Sequence, residues 1–161
     1  MRSWKRGTAR VAMVVGMVTA GAVTVPGTAH AGTEVEIWNN YHGLFLDSDI
    51  NGNVYAIPRQ NNKHQKWTRG SDSRFFNVQT GRCLRMVQVH PLRGIRTAKT
   101  CSARDSLWVL EKVRGGVKII NVEYRTCLAS GDQKDSAGAR TVVPARCDSK
   151  EKQQLWSVRN I

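Results

Sequence analysis

Between Ser73 and Arg104 the chain holds Arg74, Arg82, Arg85, Arg93, Arg96, Lys99 and Arg104, and no Asp or Glu at all. Six of these seven cations are arginine. A guanidinium is weakly hydrated and grips a carboxylate or phosphate with two N–H groups at once. The chemistry such a run offers is recognition of an anionic polymer, a phosphate-bearing cell-wall polymer or an acidic polysaccharide, through Arg82, Arg85, Arg93, Arg96 and Lys99. Binding of that kind falls steeply with salt, because it depends on counterion release and screening. A solvated basic face is the plainer reading of the same residues.

Other reactive side chains are sparse. Beyond residue 31 the histidines are His42, His64 and His90. None stands in a nucleophile elbow, an H-E-x-x-H helix or a phosphate loop. Asp47 and Asp49 are an acid pair on paper, but i and i+2 neighbours in a turn seldom both enter a cleft. No catalytic constellation, metal site or cofactor site emerges, and no enzyme is expected. The four cysteines, Cys83, Cys101, Cys127 and Cys147, lie 18 and 20 residues apart in two pairs. Two local bridges, Cys83–Cys101 and Cys127–Cys147, are the economical pairing of the three possible. Each closed loop of that size stabilises by about 3 kcal/mol through chain entropy. A zinc site is the competing use, but the chain has no C-x-x-C pair and no histidines spaced to complete one.

The redox argument rests on the first 31 residues. Arg2, Lys5, Arg6 and Arg10 precede an uncharged apolar run from Val11 to Val25, and Ala29-His30-Ala31 offers small residues for cleavage. This is the pattern of a secretory signal, short for a membrane span, with an uncleaved anchor as the alternative. The expected product is exported and extracellular, about 130 residues long and one domain's worth. It carries 21 Lys and Arg against 12 acids, a net charge of +9. That charge favours encounter with anionic partners and says nothing about fold. Nucleic acid is not an expected partner for an exported protein, nor is stable membrane insertion after the signal is removed.

The elements that must hold these residues repeat. Gln65-Lys66-Trp67 returns as Gln154-Leu155-Trp156, with a degraded copy at Ser106-Leu107-Trp108. Phe45-Leu46, Cys83-Leu84 and Cys127-Leu128 keep step, and Asn39, Asn77 and Asn121 each stand seven residues before the leucine. Such a period means three copies of one supersecondary unit, roughly 35–69, 73–113 and 116–161, sharing one core. No stretch keeps helical apolar spacing, and turn residues interrupt every 8 to 12 positions. Short strands are expected at Val35–Trp38, Phe75–Val78, Trp108–Leu110, Val117–Val122 and Trp156–Val158, with turns at Asp49–Asn53 and Arg114–Gly116. The leucine-to-tryptophan distance grows from 21 to 24 to 28 residues, and the added polar length, such as Ser130–Asp135, belongs in surface loops.

Three Q-x-W-type repeats, each led by a C-L-type pair, resemble the ricin B-chain-type β-trefoil lectins across essentially all of the chain after the signal. The resemblance implies an all-β, six-stranded barrel capped by three hairpins about a pseudo-threefold axis. It makes Leu46, Leu84, Leu128, Trp67, Trp108 and Trp156 structural core, and it makes carbohydrate the expected ligand. In that family an acid directly after C-L accepts from sugar hydroxyls, an aromatic ring near the second cysteine stacks on the sugar, and a polar residue precedes the glutamine.

By that pattern only the first copy keeps a sugar site, with Asp47 as the acid and His64-Gln65 at the polar end. Counting back from Trp67 puts Ile57 at the ring position, so Tyr55, two residues earlier on the same face, is the substitute. The second copy has Arg85 and Lys99 at the acid and ring positions, and the third has Ala129 and Ala145. The implied function is a non-catalytic lectin-like protein, weak because it has at most one shallow site, which lectins ordinarily offset with several. The alternative is a cationic interaction module that binds an anionic cell-surface polymer or a protein partner through its arginine-rich second copy.

Overall fold

The computed structural model describes residues 32–161 apart from His90; the secretory signal expected over residues 1–31 lies outside them. Among the described residues twelve strands and three single 3₁₀ turns follow one plan three times. Lobe one is β1 (Gly32–Asn39), β2 (Leu44–Ser48), β3 (Val54–Ile57) and β4 (Lys66–Gly70). Lobe two is β5 (Phe75–Asn77), β6 (Cys83–Val89), β7 (Leu92–Ala98) and β8 (Trp108–Val113). Lobe three is β9 (Gly116–Asn121), β10 (Thr126–Lys134), β11 (Arg140–Arg146) and β12 (Trp156–Asn160). In each lobe the 3₁₀ turn immediately precedes the tryptophan strand or lies one residue before it.

The first and fourth strands of each lobe build the barrel. Antiparallel pairing runs β12–β1, β1–β4, β4–β5, β8–β9 and β9–β12. The backbone bond from Trp108 N to the carbonyl of Ser73, 2.8 Å, joins the remaining edges of lobe two. The hairpins β2–β3, β6–β7 and β10–β11 cap one end. Neighbouring hairpins touch: β11 pairs with β3, and Asn53 bridges to Arg96 in β7. The last contact needs Gly52, whose φ is +83° and whose absent Cβ would lie 2.5 Å from the carbonyl oxygen of Thr97.

The repeated residues of the sequence become one repeated set of contacts. Trp67, Trp108 and Trp156 are buried with Leu46, Leu84 and Leu128 in a single core. Each indole N–H donates to the carbonyl of its own lobe's leucine, at 3.0, 2.9 and 2.8 Å. A buried indole needs that partner, so the leucine backbone and the tryptophan ring fix each other. The three asparagines staple lobe to lobe. Asn77 donates to the carbonyl of His64, Asn121 to that of Asp105 and Asn39 to that of Gln153, each at 2.7 Å. Each of those carbonyls lies just before the glutamine position of the neighbouring lobe. The same side chains accept from the backbone three residues on, at His42, Thr80 and Tyr124. Both disulfides are formed as expected, Cys83–Cys101 and Cys127–Cys147.

One expectation fails here. Ser130–Lys134 is not loop but the end of β10, which runs on past a register shift to pair Lys134 with Arg140. The added length of lobe three extends a hairpin instead of loosening a connection.

Candidate functional site

The candidate site of lobe one sits where β2, β3 and the 3₁₀ turn Lys63–Gln65 meet. Asp47 and Tyr55 are direct cross-strand partners, and direct partners project from the same sheet face. The Tyr55 phenol and the Asp47 carboxylate therefore lie close enough to influence each other's protonation. Burial, then the Asp47 charge, pushes the phenol up to about 12, so it stays protonated. Asp47 is 2 % exposed, and burial raises its carboxyl above the ordinary range, with His64 and Tyr55 pulling the other way. His64 is held by its Nδ1 at 2.7 Å from the carbonyl of Ser48. Asn62 caps the turn beneath it, accepting from the backbone N–H of His64 and Gln65 at 3.0 and 3.2 Å.

These residues open onto a cleft of about 860 Å³ whose lining includes Asp47, Tyr55, Ile57, Asn62 and His64. The opposite wall comes from the extended hairpin of lobe three, with Gln133, Lys134, Arg140 and Thr141. Thr141 pairs with Tyr55, so Asp47, Tyr55 and Thr141 form one polar row across three strands, about 4.8 Å per strand. Ile57, Val54 and the exposed Ile50 supply apolar surface beside that row. The arrangement provides a buried carboxylate acceptor, a protonated phenol, the exposed Thr141 hydroxyl and an aliphatic platform.

Gln65 lies behind the cleft rather than in its lining. It is 1 % exposed, its Nε2 donates to the carbonyl of Pro58 at 2.9 Å, and its Oε1 accepts from the backbone of Gln60 at 2.7 Å. Gln154 repeats this with Arg146 and Asp148. Ser106 is shorter, but its hydroxyl still reaches the carbonyl of Cys101 at 2.9 Å. The glutamine braces the loop under the site and contributes no group to it.

Asp49 is also spent within the fold. Burial acts to raise its carboxyl, but the Asn53 side chain and the backbone N–H groups of Asn53, Asn51 and Gly52 outweigh that and hold it low. Asp135 closes the same turn on the facing wall, accepting from Ala137 and Ala139 at 2.9 and 2.8 Å.

In lobes two and three the pair corresponding to Asp47–Tyr55 is Arg85–Arg96 and Ala129–Val143. The register also corrects the ring position of lobe two. Phe45, Cys83 and Cys127 oppose Ile57, Ala98 and Ala145, so Ala98 stands there and Lys99 lies just past the end of β7. Nor are all seven cations of the acid-free run unpaired. Arg85 is ion-paired to Asp105, Arg74 to Asp72 and Arg104 to Glu123, acids that stand outside the run. Arg93 stacks on Tyr124, 4.3 Å from the ring centroid, and Arg96 reaches the carbonyl of Asn51 at 3.3 Å.

The model of the ricin-type beta-trefoil lectin domain matches residues 32–156. The chain belongs to that family. No curated protein matches it by sequence. Among solved structures it is similar to the designed 3-fold symmetric protein ThreeFoil, at 18% identity and a TM-score of 0.67, over 80% of this chain and 99% of that one. A ricin B-like lectin of Macrolepiota procera, solved in complex with lactose, shares 15% identity and a TM-score of 0.69, over 83% and 99% of the two chains. The cytolethal distending toxin of Actinobacillus actinomycetemcomitans contributes a chain with 16% identity and a TM-score of 0.66, over 80% and 91%. At these identities the likeness is one of fold: an all-β trefoil with three lobes. Membership of the lectin family supports carbohydrate binding in general. Among the described residues no helix is long and apolar enough to cross a membrane.

Proposed function

We propose that this is an exported, non-catalytic carbohydrate-binding protein with one weak sugar site, built by Asp47, Tyr55 and His64 and braced by Gln65. The observation that carries the reading is the Asp47–Tyr55 pair opening onto the cleft. A buried carboxylate accepts strongly from sugar hydroxyls, and Ile57 beside it meets the apolar C–H face. Lobes two and three lack that pair, which agrees with a single site and low affinity. Glycoside hydrolysis ordinarily uses two carboxylates, and the other acids of the cleft wall, Asp49 and Asp135, are tied into their turns, which favours binding over catalysis. The signal pattern and the two disulfides support an extracellular location.

The test is a glycan array with the parent and Asp47→Ala. The variant is expected to lose the array signal while keeping the parent's far-ultraviolet spectrum, and an unchanged binding profile would remove Asp47 from the site.

A second reading is an anionic-polymer module on lobe two. It draws support from Arg82, Arg93, Arg96 and Lys99, which have no acid partner among the described residues. Retention on purified wall polymer should then collapse as salt rises from about 50 to 200 mM. Retention independent of salt rejects it.

A further inference from the structure

The proposed sugar site fills only one side of its cleft. At about 860 Å³ the space lies in the upper part of the roughly 300–1,000 Å³ range of small-molecule sites, more than one hexose ring occupies. The remaining side is the extended hairpin of lobe three, which brings two cations, Lys134 and Arg140, to the cleft beside Asp135. Lys134 lines the cleft, is exposed, and makes no ion pair or side-chain hydrogen bond among the described residues. Arg140 lines it too; its Nη1 donates to the carbonyls of Gly131 and Asp132, while its Nε is buried without a partner.

The acids nearby keep their charge, but none is ion-paired to Lys134 and each is tied into its own part of the chain. Asp49 and Asp135 accept two or more turn hydrogen bonds each, and Asp132 accepts from Gln153 at 3.0 Å. His42 also faces this hairpin. It sits 3.0 Å from Ser130 on the same hairpin, and its protonation is disfavoured by burial and then by Arg140, more than Asp132 restores.

Resting on the proposed sugar site, we infer that the cleft takes an acidic oligosaccharide of at least two units. One neutral ring lies over Asp47 and Tyr55, and the next crosses Thr141 and presents its carboxylate or phosphate to Lys134. The row Asp47–Tyr55–Thr141 gives the direction, since successive strands step the hydrogen-bonding groups toward lobe three. The carboxylate that binds the neutral ring and the cation that binds the acid stand on different lobes, so the two charges need not meet. Lys134 is then the residue that sets specificity, and Asp47 the one that sets whether any sugar binds.

Titration calorimetry on the protein tests this with three matched probes: a neutral hexose disaccharide, its uronic-acid counterpart and its phosphorylated counterpart. At low salt at least one acidic probe is expected to bind about tenfold or more tightly than the neutral one, the size of one charge-assisted contact. Lys134→Gln should erase that preference, whereas Asp47→Asn should weaken all three. Which acidic probe gains identifies carboxylate or phosphate as the recognised group. Equal binding of all three, still lost in Asp47→Asn, overturns the acidic-ligand inference and leaves the sugar site standing. An acid preference that survives Lys134→Gln overturns it as well. Binding of none, or binding indifferent to Asp47→Asn, overturns both. Lys134 is exposed, so its substitution leaves the fold intact, and coincident thermal melts check that.

Discussion

After the shared leucine, lobe one has Asp47 and lobe two has Arg85; just before the glutamine position, lobe one has His64 and lobe two has Asp105. The two lobes thus place acid and base in opposite order on the same frame. In lobe one the acid faces a phenol and a cleft, and its base is bonded to a backbone carbonyl, not to the acid. In lobe two the two charges close on each other, and Arg85 also donates to the carbonyl of Thr100 at 3.0 Å. A site that binds must leave its charged group without an internal counterion. On the proposed reading lobe one keeps its acid open in this way, while lobe two pairs its arginine internally. The frame is indifferent to which happens, because its asparagines bind only the backbone carbonyls of His64 and Asp105 and its tryptophan and leucine contacts use none of these charged side chains.

The indifference of the frame makes the largest prediction. Trp67→Ala and Trp108→Ala should each destabilise by about 3–5 kcal/mol, as large-to-small core substitutions do, and by similar amounts in denaturant unfolding. Both indoles are buried at 2 % exposure or less and make the same bond to a leucine carbonyl. A loss confined to one lobe would mean that the lobes do not share a core, and the comparison between their sites would lose its basis.

Next in size is the ion pair of lobe two. Asp105→Ala leaves Arg85, 20 % exposed, beside a carbonyl with no acid. The expected loss is about 1–2 kcal/mol, less than for a fully buried pair. The corresponding His64→Ala in lobe one removes one bond to a carbonyl and should cost about 0.5–1.5 kcal/mol. Retention on an anionic resin sharpens the contrast, since Asp105→Ala should hold to higher salt than the parent. If Asp105→Ala changes neither stability nor retention, Arg85 is already solvated and lobe two regains its claim as an anion site.

Much of this frame was legible in the sequence, and the reason is physical. Core residues recur because each lobe must bury the same face against its neighbours, so Trp67, Trp108 and Trp156 announce themselves by spacing. The three asparagines kept the same step, but their bonds cross from lobe to lobe, a relation that spacing within one repeat does not express. Site geometry was less legible. Lys99 stands two residues before Cys101, as Ala145 stands two before Cys147, but the sheet register places Ala98 at that point of lobe two. A window without acids hides acids at its edges, so Asp72 and Asp105 escaped notice as partners of Arg74 and Arg85. The far wall of the cleft was hidden for a third reason. Lys134 and Thr141 come from a hairpin some 80 positions downstream of Tyr55, and only the pairing of β11 with β3 brings them together.

The smallest expected effect carries the sharpest sign. Asp47 has a raised carboxyl, so the folded chain holds that proton more tightly than the unfolded chain does. Its contribution to stability is therefore most favourable at low pH and declines as pH rises through the raised value. At neutral pH the buried carboxylate weighs against folding, and Asp47→Asn should stabilise by about 0.5–1 kcal/mol, or about 2–4 °C in Tm, while it weakens sugar binding. Glu36 supplies the opposite sign in the same lobe. Burial alone would raise it, but Arg59 at 2.8 Å and Arg159 at 3.1 Å hold it low. Its contribution is present above the ordinary glutamate range and fades as pH falls through the lowered value. Parent and variant should thus both soften in acid, with the gap between their melting curves closing as the parent's Asp47 takes up its proton. A destabilised Asp47→Asn at neutral pH would mean that Asp47, like Asp49, is committed to holding its own backbone. Lobe one would then be as self-satisfied as lobe two, with no unmet acceptor for a ligand to fill.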